Sequence, residues 1–374
     1  MFNLNLFSKD MVNTNRQSSI DLCKSVCIMM MVLCHVFYII KYTVTPELNA
    51  SYLAQNIVRL LGAQFFMFSM GLGLAYSKKS DAKSCVKRGF QLLFSGYLLN
   101  FLREILPWML IGKYPLFSSI ISNDKFIMLL SGDILQFAGL AFFFFALVKA
   151  LKLSDLKVFV IAVLFTALGA FISNDVSIKL SDDNFYFSFI GLIVPIKNFT
   201  EQAYICFSFS NWIIYPVIGW LFGKMIKYCK DLDKFYLYLL CISVPILLVA
   251  WAAFDAMDKN FLMILINPLV YHLQNPIILA VYMNIIAIAI SVGHLISKPL
   301  TNLKIWNVIK HLGNELPTLY IVSWVIIGWI GAYLKFSHKV LHSSFETVFI
   351  TFVIVFALSE LYIFGLRKTK KDKC

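Results

Sequence analysis

The stretch DLCKSVCIMMMVLCHVFYIIKY, residues 21–42, is a nearly continuous apolar run with Asp21 and Lys24 at its start and His35 inside it. Lys24 and His35 are eleven positions apart, so at 100° per residue both side chains return to one face of a helix. The rise between them is about 16 Å. A helix that crosses a bilayer would therefore hold Lys24 near one interface and His35 beyond the middle. Because a titratable ring at that depth is costly, we hypothesise that His35 is functional.

The whole chain has the composition of a membrane protein. Of its 374 residues, 60% are hydrophobic, 35 are phenylalanine and only 14% are charged, whereas about a quarter of the residues in a soluble domain are charged. Apolar runs long enough to cross a hydrocarbon core of about 30 Å recur along the chain. The sequence predicts an all-α polytopic membrane helix bundle of about ten transmembrane helices, at 22–42, 57–77, 90–111, 133–151, 156–173, 211–227, 236–254, 276–297, 316–334 and 345–366. Two further apolar pieces, Phe185–Ile196 and Phe261–Leu273, are too short to span.

Lysine and arginine are concentrated in alternate connections, beginning with the N-terminal segment and ending with the C-terminal tail. By the positive-inside rule, this alternation predicts that both termini are cytoplasmic. We therefore divide the chain into a cytoplasmic N-terminal segment 1–20, a single transmembrane domain 21–366 and a basic cytoplasmic tail 367–374. The formal charge of +13 then reflects topology and attraction to anionic lipid, and it does not indicate a nucleic-acid partner.

Within the first span, His35 and Lys24 each allow a structural and a functional interpretation. A neutral imidazole in a bundle can simply be hydrogen-bonded, or it can act as a general base or a nucleophile. Lys24 can extend its charge to the interface, bind a phosphate or carboxylate at the cytoplasmic mouth, or pair with Asp21 one turn away.

Other charges lie within or beside later spans. Arg59 opens the second span, Arg103 and Glu104 lie well inside the third, and Asp133 begins the fourth. An arginine beside a glutamate suggests an internal ion pair, which either stabilises the bundle or lines a substrate path. Asp133 could be a helix-start carboxylate or part of a substrate site on the outer side.

The loop KKSDAKSCVKR, residues 78–88, is a dense cationic patch on the predicted cytoplasmic side. It can contact lipid, or it can recognise a polyanionic donor such as a nucleotide cofactor. The chain has no P-loop, Rossmann glycine pattern or nucleophile-elbow serine motif. Its eight cysteines are scattered without metal-ligand spacing, so we predict no metal site.

Several segments together resemble the transmembrane acyltransferase superfamily. SIDLCKSVCIMMMVLCHVFY (19–38) is similar to the opening of the acyltransferase-3 family, with Arg16 and Asp21 matching its motif and His35 at the position of its catalytic histidine. Lys24 stands where that family has arginine, which keeps the charge without the bidentate fork. Segments 62–80 and 86–101 are similar to the next two spans. SGDILQFAGLAF (131–142), NWIIYPVIGWLFGK (211–224) and HLGNELPTLYIVSW (311–324) resemble the branch that includes heparan-α-glucosaminide N-acetyltransferase.

This resemblance implies transfer of an acyl group, usually acetyl from cytoplasmic acetyl-CoA, to a hydroxyl or amine of a glycan or glycolipid on the outer side. His35 and Asp21 would be catalytic. The acyl-CoA would bind at basic residues of the cytoplasmic side: Lys24, Lys78, Lys79, Lys83, Lys87 and Arg88. The outer substrate path would hold Arg59, Arg103, Glu104 and Asp133. We expect a multi-pass protein of a bacterial inner membrane, with a homodimer left open. The alternative is a transporter or flippase for a small polar or lipid-linked substrate, which short non-spanning segments and buried charges also suit.

Overall fold

The computed structural model describes residues 6–42, 49–111, 129–175, 185–195, 206–257, 261, 265, 276–336 and 345–371. The fold is all-α, and Phe7 and Cys229 form an isolated β-bridge. In chain order the described helices are α1 (Ser18–Tyr42), α2 (Asn49–Tyr76), α3 (Ala82–Asn100), a π-helical turn (Phe101–Ile105), α4 (Leu106–Ile111), α5 (Ile134–Ala150), α6 (Asp155–Asp175), α7 (Phe185–Ile193), α8 (Phe209–Trp212), α9 (Ile214–Lys227), α10 (Leu232–Asp255), α11 (Pro276–Leu300), α12 (Ile305–Phe336) and α13 (Phe345–Lys371).

The predicted spans all fall on these helices. In the described part of the chain, six helices are long and apolar enough to cross a membrane: Ser18–Phe37, Asp155–Ile172, Leu232–Asp255, Pro276–Leu300, Ile305–Leu334 and Glu346–Lys368. The chain is thus an integral, multi-pass membrane protein, while the count of about ten and the cytoplasmic termini stay predictions. Of the two short pieces, Phe185–Ile193 is a helix of nine residues, and Phe261–Leu273 lies largely outside the described residues.

Helix α1, which contains the stretch 21–42, lies at the centre of the bundle. Helix α1 packs against α2, α11, α12 and α13. Its side chains Ile28, Val32 and Val36 are all but fully buried, whereas Val26, Met29 and Met30 are exposed. The run is therefore apolar both where it packs on other helices and on its outward side. The hydroxyl of Ser25 donates to the backbone carbonyl of Ile309 at 2.6 Å, which fixes α1 against α12. The sequence of α1 therefore sets the positions of four other helices.

Glycines allow two helix pairs to approach closely. Along α2 and α9, a Cβ added to Gly71 would overlap the carbonyl of Pro216, and a Cβ at Gly219 would overlap the carbonyl of Phe68. Helices α3 and α5 pack in the same way, with Gly89 of one against the other. Close backbone contact replaces hydrophobic burial as the main attraction between helices in a bilayer, so these glycines hold the bundle together.

Carboxylates cap the helices that begin at the basic loops. Asp81 accepts hydrogen bonds from the Ser84 hydroxyl at 2.6 Å and from the Ser84 backbone N–H at 3.1 Å. These two bonds lower the pKa of Asp81 because they favour its charged form. Asp231 caps α10 by accepting from the Lys234 N–H at 3.1 Å, and this bond together with the Lys234 side chain lowers its pKa. Both caps satisfy amide groups that a helix N-terminus leaves without partners.

Candidate active site

His35 lies in an aromatic cage on the inner face of α1. Its imidazole is stacked on the Trp324 indole, with ring centroids 3.8 Å apart and planes 28° apart. The Tyr320 ring meets the imidazole edge-on, with centroids 6.1 Å apart. The Nδ1 atom of His35 is buried and has no hydrogen-bond partner within the described residues. The ring as a whole is partly buried and is held in place by stacking on Trp324.

A buried ion-pair network adjoins this cage. The Arg103 guanidinium contacts Glu104 Oε1 at 2.9 Å and Asp133 Oδ2 at 3.2 Å, and it donates to Asn100 Oδ1 at 3.2 Å. The same guanidinium lies over the Trp324 ring at 4.5 Å from its centroid. Trp324 is thus sandwiched between His35 and Arg103, which connects the ion pairs to the imidazole.

Tyr320 joins the two groups directly. Its hydroxyl donates to Asp133 Oδ2 at 2.9 Å, the oxygen that also accepts from Arg103. The other oxygen, Oδ1, accepts from the Ile134 N–H at 2.7 Å, while the Asp133 N–H donates to Gln136 Oε1 at 3.1 Å. This reciprocal capping box fixes Asp133 at the first turn of α5. We call His35, Trp324, Tyr320, Asp133, Arg103 and Glu104 the His35 cluster.

The π-helical turn Phe101–Ile105 explains how α3 delivers Arg103 to this cluster. Such a turn inserts one extra residue per helical turn, and π-turns recur at functional sites. The Arg103 backbone also packs against Gly328 of α12, where an added Cβ would overlap the Arg103 carbonyl. Close approach of α12 therefore places Tyr320 and Trp324 against the arginine.

A cavity of about 640 Å³ lies on the same side of α1, toward the end where α1 begins. Its walls come from the N-terminal segment and from α1, α2, α3, α5 and α12, and they include Arg16, Asp21, Lys24, Phe66, Ser69, Met70, Gly73, Tyr76, Arg88, Leu135, Ala138, Phe142, Asn314, Leu316 and Pro317. We call the end with Arg16, Lys24 and Arg88 the basic end of the cavity, and the end with Phe66, Leu135 and Leu316 its inner end.

Four of the five wall helices extend from the cavity to residues of the His35 cluster, and the fifth, α2, extends from the basic end to the inner end. Helix α1 runs from Lys24 to His35, a rise of about 16 Å on one helical face, and α3 runs from Arg88 to Arg103. Helix α5 runs in the opposite direction: it begins at Asp133 of the cluster and leads to Phe142 of the cavity wall. Helix α12 leads from Asn314 and Pro317 to Tyr320 and Trp324, and α2 presents Gly73 at the basic end and Phe66 at the inner end. Helices of both chain directions thus place their cavity residues on one side and their cluster residues on the other. The cluster therefore lies beyond the inner end of the cavity.

At the basic end, the carboxylate of Asp21 is engaged by Arg16 and not by Lys24. Arg16 also donates to Asn314 Oδ1 at 2.6 Å, which ties the N-terminal segment to α12. Among the described residues, none forms an ion pair or hydrogen bond with Lys24, whose side chain lines the cavity. The Lys24 ammonium therefore has no hydrogen-bonded counter-ion among the described residues.

The structure separates the two residues predicted as catalytic. Asp21 precedes His35 by about 21 Å along α1 and lies with Arg16 at the basic end. Of the residues predicted to line the substrate path, Arg103, Glu104 and Asp133 come together around Trp324. The side chain of Arg59 lies outside the described residues, although its backbone is part of α2.

The basic stretch 78–88 was predicted as a loop, but residues 82–88 form the first two turns of α3, so the prediction is wrong for this part. The stretch lies beside the cavity and contributes one residue to its wall. Arg88 lines the cavity, with its guanidinium 5.8 Å from the Phe142 ring centroid. Lys78, Lys79, Lys83 and Lys87 are exposed on the surface nearby. The predicted set of donor-binding residues thus divides into Lys24 and Arg88, which line the cavity, and four lysines outside it.

Sequence reasoning missed Tyr320, Trp324 and Asn100. Tyr320 and Trp324 are four positions apart on α12, and Pro317 lies one turn before Tyr320, so they share one helical face. The only sequence signal was the motif HLGNELPTLYIVSW. Neither aromatic residue has a charge that would mark it in an apolar span.

Two further histidines form acid pairs outside the cluster. His294 Nε2 lies 2.7 Å from Asp233 Oδ1, and His311 Nε2 lies 2.7 Å from Glu360 Oε2. The latter pair supplies the partner that a carboxylate in the last span requires. Within the described residues, no three side chains of the metal-ligand types His, Cys, Asp and Glu come together.

In a comparison with known proteins, a family model matches this chain. The family model described as heparan-alpha-glucosaminide N-acetyltransferase, catalytic, matches residues 16–238, more than half of the chain. No curated protein matches the chain. The matched range includes Arg16, Lys24, His35, Arg103 and Asp133, and it ends before α11, α12 and α13.

Proposed function

Because the chain belongs to the heparan-alpha-glucosaminide N-acetyltransferase catalytic family, which makes it a membrane acetyltransferase, we propose that it moves an acetyl group from acetyl-CoA to a glycan or glycolipid. The donor enters at the basic end of the cavity, and transfer occurs at His35. The main support for this proposal is that five helices line one cavity, which has cations at its basic end and the His35 cluster beyond its inner end.

The basic end of the cavity suits the phosphates of a coenzyme A. Arg88 and Arg16 can each offer a planar fork to a phosphate, and Lys24 adds a point charge. Asp21 acts here by holding Arg16, since its carboxylate binds that guanidinium. Lys78, Lys79, Lys83 and Lys87 add to the field that attracts a polyanion. We place this end on the cytoplasmic side, where the positive-inside rule puts the same residues.

His35 serves as the base or the acyl carrier. In direct transfer, an acceptor hydroxyl, or an acceptor ammonium that has first lost one proton to solvent, attacks the thioester carbonyl while the imidazole takes a proton from the attacking oxygen or nitrogen, and the C–S bond breaks as the thiolate leaves. The proton then passes from His35 to the thiolate. In the two-step route, the imidazole nitrogen itself attacks the thioester and expels the thiolate. The acceptor then attacks the acyl-imidazole, the C–N bond to His35 breaks, and the acceptor's proton passes to the thiolate.

The charges of the cluster favour an amine-bearing acceptor. Arg103 contributes one positive charge, and the carboxylates of Asp133 and Glu104 contribute two negative charges, so carboxylates outnumber cations in the group. An acceptor ammonium would be attracted to this site, and a glucosaminide in the family description carries such a nitrogen. Hydroxyl acceptors would lack that attraction.

Gly73 provides a sharp test of the donor cavity. It lines the cavity, and a Cβ added there meets no atom within 4 Å, so the first carbon of Gly73→Leu is accommodated and the larger side chain reduces the cavity volume. Gly365 on α13 is the matched control, because a Cβ there also meets nothing within 4 Å and the position is exposed. Replacing glycine with leucine favours the helix at both positions.

We expect Gly73→Leu to weaken acetyl-CoA binding by at least about tenfold, measured by isothermal titration of the protein in nanodiscs. Gly365→Leu should bind like the wild type. Equal binding by wild type and Gly73→Leu would rule out this cavity as the donor site. Loss of binding in both variants would indicate a general effect of the added side chain and would equally contradict the proposal.

A further inference from the structure

The donor cavity and the His35 cluster adjoin, but they do not merge. The cavity wall ends at Phe66, Leu135, Leu316 and Pro317, and neither His35 nor Tyr320 belongs to it. Leu135 follows Asp133 by two positions, and Pro317 precedes Tyr320 by three. The cavity and the His35 cluster are therefore separated by a single layer of side chains.

Two aromatic rings make up that layer. The centroid of the Phe66 ring lies 6.4 Å from that of Tyr320, which in turn lies 6.1 Å from that of His35. Tyr320 is 2% exposed and is anchored by its hydrogen bond to Asp133. The Phe66 side chain has no polar atom and is held by packing alone, so it is the ring of the pair that can be changed without breaking a hydrogen bond.

The inner end of the cavity is apolar. Phe66 and Met70 of α2, Leu135 and Ala138 of α5, and Leu316 of α12 surround it. An acyl chain is the part of a thioester donor that such a surface accepts. Since the thioester carbonyl has to reach His35 with the acyl group leading, the chain must fit into the space between Phe66, Tyr320 and His35.

We propose that Phe66 is a specificity-determining residue that closes the inner end of the cavity and limits the donor to short acyl groups. This inference rests on the proposed function, since it concerns the acyl group of the donor. The ring leaves room for an acetyl group beside Tyr320 and blocks the methylenes of a longer chain. Shortening residue 66 opens the inner end to longer chains.

The experiment compares the affinities of acetyl-CoA and hexanoyl-CoA for the full-length protein in nanodiscs, by isothermal titration. The variants are Phe66→Ala and the milder Phe66→Leu, which keeps most of the packing volume if the alanine variant fails to fold. The matched control is Phe65→Ala, because Phe65 is fully buried on the same helix and does not line the cavity.

We expect the wild type to prefer acetyl-CoA, although a hexanoyl chain would gain affinity in an open apolar pocket. In Phe66→Ala, the ratio of the two dissociation constants should shift by about tenfold toward hexanoyl-CoA, with a smaller shift in the same direction for Phe66→Leu. An unchanged ratio in both Phe66 variants would overturn the inference and leave the proposed function intact. A shift of the same size in Phe65→Ala would have the same consequence. A wild-type protein that binds neither thioester would overturn the proposed function and this inference with it.

Discussion

The bond between Tyr320 and Asp133 connects the aromatic cage to the ion pairs, and a double-mutant cycle can measure it. Tyr320→Phe removes a single hydroxyl from a site that is 2% exposed. Asp133→Asn removes the charge and keeps a good helix cap, since asparagine and aspartate cap about equally well. The bond is 2.9 Å long with an ionised acceptor, and hydrogen bonds to charged groups contribute about 1.5–3 kcal/mol.

Each substitution is therefore expected to destabilise the protein by about 2 kcal/mol. In Asp133→Asn the single amide oxygen stays with the Ile134 N–H, which leaves the NH2 group opposite the Tyr320 hydroxyl, so both substitutions remove the bond to the carboxylate. The double variant should therefore lose less than the sum, with a coupling free energy of about 1–2 kcal/mol. Glu104 still pairs with Arg103 in Asp133→Asn, so the guanidinium is not left without a counter-charge. This limits the cost of the aspartate substitution to the lower end of the range for a broken buried ion pair.

The assay is equilibrium unfolding in mixed micelles, followed by thiol labelling of cysteines that are buried in the folded protein, such as Cys27, Cys85 and Cys229. The control cycle pairs Asp133→Asn with Tyr282→Phe. Tyr282 is also a fully buried tyrosine, but its hydroxyl donates to the Leu265 carbonyl at 2.6 Å. The control pair should be additive within about 0.5 kcal/mol. Additivity of the Tyr320 and Asp133 pair to the same degree would refute the bond and the arrangement built on it.

Three other expectations follow from the bundle. Lys24→Ala should weaken acetyl-CoA binding by about tenfold with Tm unchanged, whereas Lys24→Arg should retain it, as titration calorimetry can show. Gly219→Leu should destabilise the protein by about 3 kcal/mol or more, because the new side chain overlaps the Phe68 carbonyl, and thermal unfolding would reveal this. The pKa of Asp81 is lowered by Ser84, so its cap is at full strength above the ordinary aspartate pKa and is lost as the pH falls through the lowered value; amide exchange in the first turn of α3 should rise only in that acid range.

Much of the fold could be predicted from the sequence because a bilayer constrains helices one at a time. A run such as 21–42 has to be helical to satisfy its backbone in lipid, and its hydropathy alone sets its approximate length. The position of Lys24 and His35 on one face followed from the helical repeat. The structure then assigns Lys24 to the cavity and His35 to the cluster, on the same side of α1.

The packing of the helices was not predictable in this way. Trp324 stacks on a residue almost three hundred positions before it, and the periodicity of a single span says nothing about which other span it meets. The pairing of Arg103 with Asp133 depends on the π-helical turn and on Gly328, and neither has a distinct sequence signature. Similarly, Asp21 is close to Lys24 in sequence, but the chain before α1 brings Arg16 to its carboxylate instead.

The most direct test of the central claim is acetyl transfer by His35→Ala. The purified protein in nanodiscs would receive labelled acetyl-CoA and a soluble glucosaminide, with the binding of acetyl-CoA measured on the same sample. We predict a loss of turnover of about 100-fold or more, as expected for a general base or nucleophile, with the donor affinity unchanged because His35 does not line the cavity. Turnover within a few-fold of the wild type by the folded, donor-binding variant would contradict it.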